Sequence, residues 1–271
     1  MQKTNSWILC CLIGLLASPS RADVILNPTY VDSAAGSWNA TRIAVFDQAI
    51  SDWQSIFSGV DDGMGGTMSV TIDFTATFSN VANGYLGQWE GSGSFSSGTD
   101  IRPWSPGVSH TIRMNNFYDT GANTLWYDPT PSDDGSDKAF ADWDALTVAR
   151  HEIGHLLGFT GFFVDDFNTG SESSPWTALI DGSNVFDPGG LNVAMEPGDP
   201  AHVLDDGLLM DVALSNAEGR IAISATESQM LALAYGYQLN AVPEPSALAV
   251  VGCLATFAFV RRRQRFCEAK R

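Results

Sequence analysis

The chain has 271 residues and is strongly acidic: 14 Lys and Arg stand against 31 Asp and Glu, a formal net charge of −17. Such a charge makes nucleic acid and anionic membrane surfaces poor partners. The four cysteines, Cys10, Cys11, Cys253 and Cys267, all fall near the ends, so the chain between them has no internal disulfide, thiolate metal site or thiol nucleophile.

In chain order, the first segment reads as a signal peptide, residues 1–22. Lys3 precedes an apolar run from Trp7 to Ala17, and Ser20 and Ala22 sit where signal peptidase reads small residues. The body expected to remain, residues 23–241, has a length that suits one domain. It carries six cations against 29 acids, a net charge of −23. Many acids cluster with glycine, as in "DDGMGG" at 61, "SDDGSD" at 132, "DGSNVFDPGG" at 181 and "LDDG" at 204. Solvated turns account for that pattern. Structural Ca²⁺ is the sharper reading, since calcium takes several oxygens from a turning chain.

Ile43, Phe46, Ile50, Trp53 and Phe57 repeat at helical spacing, with Asn39 or Thr41 as cap and Gly59 beyond the end. "MSVTIDFTATF" then alternates strictly and predicts a half-buried strand with Met68, Val70, Ile72, Phe74, Ala76 and Phe78 inward. "GQWEGSGSFSSGTD" reads as a glycine-serine loop or loose hairpin. "HTIRMNNF" and "NTLWYD" read as short strands, with His110 on a strand surface.

A polar loop leads to "HEIGHLLGF", residues 151–159. On a helix His151 and His155 lie about 40° apart on one face. Leu146, Ala149, Ile153, Leu156 and Leu157 cluster on the other, and Gly154 leaves room above the helix. Two imidazoles one turn apart can share a Zn²⁺, and Glu152 can take a proton from a water that the metal activates. An irregular region follows, about 160–205, and a loop that long is usually functional or held by a ligand. "SATE", Ser224 to Glu227, makes a capping box for a last helix that stops near Gly236.

"HEIGHLLGF" resembles the active-site helix of zincin metallopeptidases, and its H-E-x-x-H-x-x-G form points to the metzincin side. The resemblance implies an α+β fold: an N-terminal helix, a small twisted mixed sheet, the active-site helix and an irregular C-terminal lobe. It implies a zinc endopeptidase acting on peptides or proteins, with Glu152 as general base. It also implies that "HTIRMNNF" is the edge strand along which a peptide lies, that Gly158 turns the chain, and that Met210 is the methionine under the metal. The family's third histidine would fall at 161, where this chain has Gly161. His202, 47 residues after His155, is the leading replacement, and leishmanolysin-like peptidases offer a similar insertion. Asp165, Asp166 and Glu172 compete for the place. Tyr235 and Tyr237 read as packing at a helix end, with oxyanion assistance as the alternative. With no cysteine in the body, a cysteine-switch latency is excluded.

The far end, residues 242–271, joins "VPEPS" to a short apolar stretch, Ala247 to Val260, and to Arg261, Arg262, Arg263 and Arg265. This resembles the PEP-CTERM sorting signal of Gram-negative envelope proteins. It implies transient membrane association through the tail, removal by an exosortase-type enzyme, and delivery to the outer surface or matrix. A permanent anchor or a buried helix is the other reading of that run. For the whole chain, the alternative to an exported peptidase is a non-catalytic envelope module whose metal is structural. Such a site would be closed by a fourth protein ligand and would have no use for Glu152.

Overall fold

The structure, a computed structural model, describes residues 22–80, 84–93, 100–119, 124–164, 174–205, 207–211, 214 and 219–240. The signal and tail segments lie outside the described residues, apart from Ala22. The strands are β1 (Val24–Tyr30), β2 (Phe57–Asp61), β3 (Thr67–Met68), β4 (Val70–Ser79), β5 (Gly87–Gly93) and β6 (Val108–Asn115). Short strands follow: β7 (Leu125–Trp126), β8 (Trp143–Asp144), β9 (Val185–Phe186), β10 (Val193–Glu196), β11 (Asp199–Val203) and β12 (Tyr237–Leu239). The helices are α1 (Ala40–Ile56), α2 (Ala145–Leu157), α3 (Pro175–Ala178) and α4 (Ala225–Tyr235). The fold class is α+β.

Helix α1 starts where the Asn39 side chain accepts from the Arg42 N–H, the expected satisfaction of an orphan donor. Its buried stripe is Val45, Phe46, Ala49, Ile50 and Trp53. Each large apolar side chain so buried contributes about 1.5–3 kcal/mol. Phe57 leaves the helix: its backbone is extended, and it opens β2. The main sheet has the order β1-β4-β6-β5, with β1, β4 and β6 parallel and β5 antiparallel. Strand β4 alternates as its sequence demands, burying Val70, Ile72, Phe74, Ala76 and Phe78. Met68 is not part of that face; it is exposed and belongs to β3.

Three expectations about the sheet are corrected. The glycine-serine stretch, read as a loop or loose hairpin, is no loop over Gly87–Gly93 but one arm of an antiparallel pair: it pairs with β6 from Gly87 opposite Met114 to Gly93 opposite Val108. Its glycines serve close packing, since a Cβ on Gly87 would lie 2.7 Å from Glu152 Oε1 and one on Gly91 2.5 Å from the Trp89 ring. "HTIRMNNF" is therefore interior, and the edges are β1 and β5. His110 is not a surface residue either. It is 3% exposed, its Nε2 lies 2.8 Å from the Pro103 carbonyl, and its Nδ1 accepts from Trp89 Nε1 at 3.3 Å.

The region after α2 is less irregular than its composition suggests. Strands β9, β10 and β11 form a three-stranded sheet there, in the order β11-β10-β9. Helix α4 has the anticipated capping box and ends at Gly236 with φ +77°. The described residues up to Leu239 belong to one compact unit, and none of their helices is long and apolar enough to cross a membrane.

Candidate metal centre

Helix α2 is fixed at both ends. At its start the Asp144 carboxylate accepts from the Thr147 N–H (3.1 Å) and hydroxyl (2.7 Å). Arg220 donates to both oxygens of Asp144 and, at 2.6 Å, to Asp128. Arg150 forks onto Asp52 of α1 at 2.8 and 2.6 Å. At the far end Gly158 turns the chain at φ +133°. Tyr237 donates to the Leu157 carbonyl and Tyr235 to that of Gly158. Both tyrosines thus hold carbonyls that a helix end leaves without intrahelical partners; packing, not oxyanion assistance, is what their contacts express.

Every residue of α2 is buried, so the helix has no solvated face. The space over Gly154 is filled as well. A Cβ there would lie 2.5 Å from Met210 Sδ, and Met210 is fully buried. The methionine therefore seats itself on the only side-chain-free position of that turn.

The turn at Gly158 has a second effect. It brings the Phe159 carbonyl to 2.7 Å from His155 Nδ1. His151 Nδ1 lies 2.7 Å from the Leu209 carbonyl, just before Met210. His202, on β11, places Nδ1 2.8 Å from Asp199 Oδ2. All three partners are acceptors only, so each Nδ1 carries the proton and each Nε2 keeps its lone pair. Those lone pairs converge: His151 Nε2 lies 3.1 Å from His155 Nε2 and 3.3 Å from His202 Nε2.

Lone pairs so placed repel unless a cation lies among them. Nitrogens at about 2.0–2.1 Å from a tetrahedral Zn²⁺ are about 3.3–3.4 Å apart, so the donor set fits a metal of that size. Among the described residues, His151, His155 and His202 form a group that could hold a metal ion. They line a cavity of about 640 Å³ with Glu152, Gly87, Trp89, Val148, Thr160 and Asp199 among its walls. Burial pushes the Glu152 carboxyl up to about 8, against the Trp89 backbone N–H that binds it. Burial, assisted by the neighbouring imidazole, pushes His151 down to about 4. His155 is driven well below its usual value for the same reason.

The rival ligands Asp165, Asp166 and Glu172 lie outside the described residues. Asp128, Asp133 and Asp137 also converge, with Arg220 already seated on Asp128 and Asp144. In the other acidic turns the carboxylates accept from their own backbone: Asp62 from Met64 and Gly66, Asp181 from Ser183 and Val185. Reading the sequence missed Asp199, Gly87 and Trp89. It also missed that Glu227 of the capping box accepts from the Met210 N–H at 2.7 Å. The Ser-x-x-Glu spacing marked Glu227 as a cap and carried no sign of that second bond. No protein-family model matches this chain, and no curated protein matches its sequence.

Proposed function

We propose that this chain is an exported zinc-dependent endopeptidase of zincin-like fold. The single observation that carries the reading is the convergence of three Nε2 lone pairs beside a buried glutamate on one cavity wall. His151, His155 and His202 would hold the metal, and Met210 lies against the helix beneath them. A zinc ion held by them would supply Lewis-acid polarisation of a carbonyl and a water of pKa about 7. Glu152 takes the proton from the attacking water and delivers it to the leaving amine. A cation nearby favours its carboxylate form, opposing the effect of burial. The Nδ1 bonds keep the imidazoles from swinging out.

Two further observations favour a peptide as substrate. Strand β5 is a sheet edge, and Gly87, Gln88 and Trp89 lie on the cavity wall. An extended chain can add to such an edge through main-chain hydrogen bonds. Among the described residues no lysine or arginine lines the cavity. The undescribed stretches between 22 and 240 contain none. The described cavity wall therefore offers no side-chain cation to a free terminal carboxylate, which favours cleavage inside a polypeptide. In this reading the PEP-CTERM-like tail would direct the protein to the outer surface or matrix of a Gram-negative cell after exosortase-type processing.

The test is Glu152→Gln. The variant should bind zinc as the wild type does and lose roughly 10²–10⁴-fold in the rate of peptide cleavage. Equal cleavage by both proteins would remove Glu152 from the chemistry.

A further inference from the structure

The three histidines are not held alike. His151 and His155 sit on a buried helix and are tied by main-chain carbonyls, of Leu209 and Phe159. His202 comes from strand β11 and is tied by a side-chain carboxylate, Asp199. On a regular strand residues three apart point to opposite faces, so this contact needs an explanation. It lies in the hairpin. The turn between β10 and β11 is Glu196-Pro197-Gly198-Asp199, with Gly198 at φ +84°, the Pro-Gly signature of a tight type II turn. The ladder then shifts register between Met195 and Glu196. Trp176, fully buried, donates from Nε1 to the Pro200 carbonyl at 2.5 Å. The chain between Asp199 and His202 is thereby bent and anchored, and the two side chains meet.

The geometry points to Asp199 as the positioning residue of the metal centre. It orients the His202 ring, fixes its proton on Nδ1 and makes Nε2 a stronger donor than a main-chain carbonyl would. This rests on the zinc reading proposed above. The remaining Asp199 oxygen accepts from the Ala201 N–H at 3.3 Å, which holds the carboxylate in place.

The experiment is zinc affinity by chelator competition on the purified full chain, for wild type, Asp199→Asn, Asp199→Ala and His151→Ala. Asp199→Ala should bind zinc roughly 10- to 100-fold more weakly. Asp199→Asn, which keeps a neutral acceptor, should fall between it and the wild type. The melting temperatures of the metal-free Asp199 variants should match the wild type, and the visible spectrum of Co²⁺-loaded Asp199→Ala should differ from that of the wild type. Unchanged zinc affinity in Asp199→Ala, with zinc lost from His151→Ala, overturns the role of Asp199 and leaves the metal centre standing. If the wild type takes up no zinc, or His151→Ala binds it as well as the wild type, the zinc reading falls and this inference with it.

Discussion

Gly154 shows how one missing side chain organises the centre. In a helix interior alanine is favoured over glycine by about 1 kcal/mol. Here an added Cβ would lie 2.5 Å from Met210 Sδ, inside a fully packed turn. Overpacking of that kind costs about 1–3 kcal/mol, so steric conflict outweighs propensity. Gly154→Ala should lower the denaturation midpoint and weaken zinc retention; a more stable variant would show that the methionine yields freely. At this scale His151, His155 and Glu152 were legible, because their four-residue spacing is itself the signal. His202 was reached through the family resemblance and as the last histidine downstream. Asp199 was not legible, since a three-residue offset on a strand ordinarily separates side chains, and only the bent hairpin brings these together. The Met210–Gly154 contact was equally hidden, because it joins residues from two distant segments.

At the scale of elements, α1, β4 and α4 were read with their boundaries nearly right, since each has a strong period or a cap. Strand β5 was legible only as a loop or loose hairpin, because glycine and serine carry no strand signal; Gly87 and Gly91 answer to the approach of α2 and of Trp89. The strand beside it supplies a pH prediction. His110, on β6, pairs with Gly91 of β5, and burial lowers its pKa below the usual 6.5, outweighing the Pro103 carbonyl. A group with a depressed folded pKa adds stability that is present above its unfolded value and is lost as pH falls through the folded one. On protonation Nδ1 becomes a donor facing the Trp89 indole N–H, and the contact turns repulsive. The groups packed around it are Trp89, Phe163 and Pro103, none of them charged. Denaturant midpoints measured from pH 7.5 to 5 should therefore fall more steeply for the wild type than for His110→Gln. Parallel curves would mean that His110 titrates alike in the folded and unfolded chain, with no depression by burial.

For the whole molecule, the α+β class was legible, whereas the sheet of β9, β10 and β11 was not: its strands are two to five residues long and interrupted by turn residues. Charge is the property that acts over the longest range. Of the six cations between residues 23 and 241, Arg113 pairs with Glu90, Arg150 with Asp52 and Arg220 with Asp128 and Asp144. Lys138 donates to the Asp142 carbonyl and Arg42 to that of Ser37. The acids far outnumber them, so the field around the cavity is negative. Peptides with basic residues near the cleaved bond should show a higher kcat/KM than acidic ones at low ionic strength. That advantage should shrink as salt brings the screening length from about 30 Å towards 3 Å. A preference for acidic peptides, or one insensitive to salt, would contradict it.

The central claim is that one zinc, held by three histidines, supports peptide cleavage. It is tested most directly by adding zinc stepwise to the metal-free full chain while following hydrolysis of a peptide. The account predicts no cleavage without metal and a linear rise that breaks at about one equivalent of zinc. His202→Ala should give no recovery over the same range. Full cleavage by the metal-free protein, or complete recovery in His202→Ala, would contradict it.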